Sequence, residues 1–190
     1  MEAIPNADGH PSGNPDGRRH AKETLGPFGC HYVRRLWQTS RLPQGAVGQV
    51  PMVDLLARAG LLVPKGMVLT KEAHREFLDQ SGLLADLRAN ADDGEDPAPR
   101  VLRICLSHRS STIGGELNRE ICDALIGLGS PFVIVASERS ATRHLRSIPE
   151  VKDAIKKAWH SVRGLERQLE AASRGLEIPT WPVLILAEEG

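Results

Sequence analysis

Residues 57–83, ARAGLLVPKGMVLTKEAHREFLDQSGL, decide the fold of this chain. Gly60 supplies a helix stop, and Pro64-Lys65-Gly66 supplies a turn. Met67, Val68 and Leu69 then make a short apolar run of strand character. Thr70 is placed to cap a helix that starts at Lys71, where Ala73, Phe77 and Leu78 share one face. Helix end, turn, strand and capped helix in this order predict an α/β domain.

Working outward, Pro51 opens a helix carrying Val53, Leu55, Leu56 and Ala59 on the way to Gly60. On the other side, Leu83 to Leu87 predict a further short helical turn. The acidic, breaker-rich ANADDGEDPAP of residues 89–99 predicts a loop. Periodicity alone leaves Val101 to Leu106 open between strand and helix. Leu117, Ile121, Ala124, Leu125 and Leu128 fall on one stripe of a helix that ends at Gly129. The runs Phe132–Ala136 and Pro182–Leu186 have the length and unbroken apolarity of buried strands. Ser147 and Glu150 have capping-box spacing, with Pro149 in the first turn. From Ile148 to Ala172 apolar residues recur at three- and four-residue steps. The pattern predicts one long helix packed on a sheet, kinked at Gly164 and ended near Gly175.

The N-terminal 27 residues are rich in Gly, Pro, Asn and Asp and carry almost no apolar periodicity, which predicts an arm without its own fold. Residues 28–45 differ. Val33, Leu36 and Trp37 have helical spacing among three arginines, so the segment reads as an amphipathic helix that packs on its own domain or docks on a partner. Phe28, Tyr32, Leu36 and Trp37 are the anchors such docking would use, since aromatic side chains dominate interface energetics.

Composition narrows the function classes. Formal net charge is zero over 190 residues and aromatics make up 4%. Neither a basic field for nucleic acid nor the stacking residues of single-strand binding are present. No apolar run has the length of a membrane span and the N-terminus lacks the layout of a secretory signal, so a cytoplasmic location is expected. Three cysteines at wide spacing imply no disulfide framework. Cys30-His31 and Cys105-x-x-His108 lack the partner motif that zinc would need. No GxGxxG, Walker-type loop or GxSxG occurs, and Gly114-Gly115 ahead of a helix is a weak anion-binding signal.

The opening block resembles the start of the ATP-binding domain of the phosphoenolpyruvate synthase and pyruvate phosphate dikinase family, of the type "AGLPVPPGFVLTTEAYREFL". Three more pieces resemble the same family in the same order: EICDALIGLG, FVIVASERSAT, and SIPEVKDAIKKAWHSV followed by PVLILAEE. The resemblance runs from about Ala46 to Glu189. It implies a small sheet flanked by helices, similar to the N-terminal lobe of an ATP-grasp domain, with Val101 to Leu106 helical.

The same comparison implies lost chemistry. Phosphoryl transfer requires positive charge and metal ions around the phosphates. The family's lysine in "KGANLAEM" falls on Gln49, which brings no charge. Its "RSSA" arginine falls on Glu138, or on Arg139 with a one-residue slip, leaving Gln49, Arg139, Ser140 and Thr142 as the nucleotide-facing positions. The glycine-rich loop of type "SFAGQ" has no counterpart, since only Arg143 to Arg146 separate Thr142 from the cap at Ser147. The metal-binding lobe, phosphohistidine domain and pyruvate-binding barrel fall outside the resemblance. The expectation is therefore a non-catalytic accessory or structural subunit of a larger protein complex, with no catalytic residues, metal or cofactor. Cut at Gly190, with the strand Pro182–Leu186 near the boundary, it would present an apolar surface or a free strand edge to its partner. The alternative is the ATP-binding subunit of a split phosphotransferase, with ATP and Mg2+ as cofactors.

Overall fold

The computed structural model describes residues 32–36, 59, 64–91, 97–108, 110–130, 133–137 and 141–188. Their elements run β1 (Val33–Arg35), β2 (Gly66–Leu69), α1 (Lys71–Gln80), α2 (Leu83–Ala89), α3 (Pro97–Ser107), α4 (Gly115–Leu128), β3 (Val133–Ala136), β4 (Ala141–Leu145), α5 (Ile148–Trp159), α6 (Val162–Ser173) and β5 (Val183–Ala187). The α/β expectation holds: one five-stranded sheet, ordered β1-β2-β5-β3-β4 with every neighbouring pair antiparallel, is flanked by helices. The expected helix from Pro51 to Gly60 lies outside the described residues, Ala59 apart.

Strand alternation explains the layers. Met67 and Leu69 of β2, Val133 and Val135 of β3, and Val183, Ile185 and Ala187 of β5 point into one core. There they meet Phe77 of α1, Leu117 and Ile121 of α4, and Ile155 and Trp159 of α5. Val68, Ala136 and Leu184 point the other way and form a smaller cluster with Leu36. Because β5 is buried on both faces it reads as an unbroken apolar run. Burying Phe77, which has no exposed surface, contributes roughly 1.5–3 kcal/mol.

The capped helix opens as its sequence predicts. Thr70 Oγ1 accepts from the Ala73 N–H at 3.3 Å. Val101 to Leu106 lie within a helix, as the resemblance implied.

Three expectations are corrected. Val33 and Leu36 do not share a helix face; Val33–Arg35 is a strand pairing with Leu69–Met67. A three-residue step places side chains on one side of a helix and on opposite sides of a strand. Val33 accordingly enters the large core while Leu36 enters the small one. The long helix is two helices. Ile148–Trp159 packs on the sheet, whereas Leu165 and Leu169 of α6 pack with α2 and α3, away from it. A straight helix cannot face both clusters, and Ser161 turns the chain between them, its hydroxyl accepting from the Gly164 N–H at 3.2 Å. Gly164 is thus an early residue of α6 and not a kink. Third, Pro182–Leu186 presents no free edge: β5 is paired by β2 on one side and β3 on the other.

Candidate functional site

Of the nucleotide-facing positions expected from the sequence, Thr142 alone falls among the described residues. Thr142 lies on β4 opposite Val135 and is exposed. Gln49, Arg139 and Ser140, with Glu138, lie outside the described residues. β4 is an edge strand whose five residues, ATRHL, are exposed except for the half-buried Leu145. Val133 faces Leu145 while Val135 faces Thr142, so Arg143 and His144 bulge against the single Ile134.

His144 takes a left-handed φ of 58°, uncommon for any residue with a side chain. Glu188, just past β5, holds it there. Its Oε2 accepts the His144 N–H at 2.9 Å and lies 3.2 Å from His144 Nδ1. Two residues further on, Glu150 Oε2 accepts from the Arg146 N–H at 2.7 Å and from the Ser147 N–H at 3.1 Å. These backbone bonds, Arg146 first and Ser147 next, hold the Glu150 carboxyl below its usual range. Ser147 Oγ completes the capping box by accepting from the Glu150 N–H at 3.4 Å. The end of β4 and the segment joining it to α5 therefore have their His144, Arg146 and Ser147 N–H groups committed to the chain's own carboxylates. A shallow cleft of about 180 Å³ lies alongside, lined by Leu125, Ser130, Leu145, Arg146 and Ile148 among others.

Of the expected partner anchors, Leu36 is 2% exposed and packs with Val68 and Leu184, so it serves the chain's own fold. Tyr32 is half-buried against the large core, and its N–H donates to the buried Glu120 carboxylate at 2.9 Å. Burial, then the nearby Glu76, pushes the Tyr32 hydroxyl's pKa up. Phe28 and Trp37 lie outside the described residues. The N-terminus of α4 is filled from within: the Gly114 N–H donates to Gln80 Oε1 at 3.3 Å. No group of metal-binding side chains occurs among the described residues.

A different constellation appears that sequence spacing did not suggest. Asp86 of α2 places Oδ2 2.7 Å from His108 Nε2, and His108 Nδ1 lies 3.4 Å from Ser111 Oγ. Only the three-residue interval between His108 and Ser111 is visible in the sequence; Asp86 arrives through packing of α2. Arg100, 7% exposed, steadies that platform by donating to the Asn90 carbonyl at 2.6 Å. On the core side, burial depresses His160 to about 4, with smaller contributions from His108 and Lys156. Burial likewise depresses His74, stacked on Trp159 at 5.1 Å, to about 3, with His160 adding to it.

No family model matches the chain. It is similar to phosphoenolpyruvate synthase of Pseudomonas aeruginosa (strain UCBPP-PA14), with 30% identity over 129 residues. The similarity takes in 64% of this chain, which spans 16% of that relative. No helix among the described residues is long and apolar enough to cross a membrane.

Proposed function

We propose that this chain is a non-catalytic accessory or structural subunit that acts within a larger protein complex. In this reading it derives from the ATP-binding, ATP-grasp-type domain of a phosphoenolpyruvate synthase-like phosphotransferase. One observation carries the proposal. From the end of β4 to the start of α5, where phosphates would need free N–H donors, the N–H groups of His144, Arg146 and Ser147 go to Glu188 and Glu150. Two carboxylates there would also repel a polyphosphate. Gln49 and Glu138, read from the sequence, subtract charge at the family's lysine and arginine positions.

A second reading, the ATP-binding subunit of a split phosphotransferase, draws support from the exposed Thr142 and Arg143 beside the hairpin turn. The partner contact is assigned to the N-terminal arm with Phe28 and Trp37, because Leu36 is buried. Purification of the full-length chain from its native source, with identification of what co-elutes, tests the proposal. A stoichiometric partner lacking phosphotransferase domains is expected. Recovery as a monomer would contradict it, and a partner carrying a metal-binding lobe and a phosphohistidine domain would favour the split enzyme.

A further inference from the structure

We propose that Ser111 is an activated nucleophile, a covalent acceptor for an acyl or phosphonyl group, with His108 as its base and Asp86 as the positioning residue. The assignment begins with the imidazole tautomer. A carboxylate only accepts hydrogen bonds, so Asp86 Oδ2 at 2.7 Å fixes the proton on His108 Nε2. That leaves the Nδ1 lone pair facing Ser111 Oγ at 3.4 Å. This separation is at the long end of a hydrogen bond, as nucleophile–base contacts often are before a substrate arrives. Nucleophile, base and orienting acid thus stand in the order that activates a serine, whichever ring nitrogen serves as base.

Burial and rigidity agree with that role. His108 is 8% exposed, whereas Ser111 is partly exposed. The turn is pinned by the Ser111 N–H donating to the His108 carbonyl at 3.0 Å. The array lies on α2 and the α3–α4 connection, so it is independent of the β3–β4 hairpin and of the reading given for it.

In the step, Ser111 Oγ attacks the carbonyl carbon of an activated ester. The new O–C bond forms as the ester's C–O bond breaks, and the Ser111 proton passes to His108 Nδ1 and then to the departing alkoxide. One acyl group is transferred per chain, which requires no phosphotransfer. With a fluorophosphonate probe the same attack forms an O–P bond and expels fluoride.

The test is intact-mass and peptide mapping of the full-length chain after exposure to a fluorophosphonate. One adduct per chain on Ser111 is expected, absent in Ser111→Ala. His108→Ala should label at least tenfold more slowly and recover with added imidazole, which loss of a merely structural histidine would not do. Asp86→Asn should slow labelling while Asp86→Glu restores most of it. No adduct on the folded wild-type chain, an adduct at another residue, or equal labelling of His108→Ala without imidazole would overturn the proposal.

Discussion

At the scale of single residues, the decisive constraints are absences of side chain and buried imidazoles. Gly66, read from the sequence as part of a turn, is the first residue of β2. A Cβ there would lie 2.7 Å from the Ile185 carbonyl oxygen and 2.6 Å from Leu186 Cδ2. At Gly164 a Cβ would lie 2.5 Å from Trp181 Cζ2, whose ring lies on α6. Gly66→Ala meets backbone that cannot rotate away, so a loss of about 1–3 kcal/mol is expected in chemical denaturation. His74 and His160 make stability pH-dependent. Their folded values of about 3 and about 4 lie below the unfolded value near 6.5. The unfolded chain therefore binds more protons in between, and stability falls as pH drops below about 6.5, through about 4 for His160 and about 3 for His74. A loss on the order of 2 kcal/mol between pH 7 and 5.5 is expected, and His74→Phe should flatten the profile. A denaturation midpoint that does not move over this range would show that neither histidine is buried neutral.

Among the elements, β1 has the clearest consequence. Val33 and Leu36 reach opposite faces of the sheet, so removing residues 1–41 takes away a strand and part of two clusters. Deletion of residues 1–31 spares that strand. The shorter deletion should keep the denaturation midpoint, and the longer one should lower it; equal midpoints would show that β1 contributes nothing. The sequence was a good guide where local chemistry and packing agree. Thr70 and Ser147 cap the helices they precede, and the runs around Val135 and Ile185 are strands. It misled where one stripe served two clusters, as from Ile148 to Ala172. A period records that residues are buried, not against what. Asp86, His108 and Glu188 were illegible as partners because intervals of 22 residues, or of 44 from His144 to Glu188, are set by tertiary packing.

For the molecule as a whole, β5 at the centre of the sheet leaves β1 and β4 as its edges. β4 carries Arg143 and His144 and is bulged, features that discourage strand pairing with another chain. The proposed loss of phosphotransfer chemistry has the His144, Arg146 and Ser147 N–H groups taken up by Glu188 and Glu150. Calorimetric titration of the full-length chain with ATP and Mg2+ tests it most directly. No binding at micromolar nucleotide is expected, because the backbone donors are taken and Gln49 supplies no charge. Saturable micromolar binding, tightened further by Gln49→Lys, would contradict it and establish the chain as a working nucleotide-binding subunit.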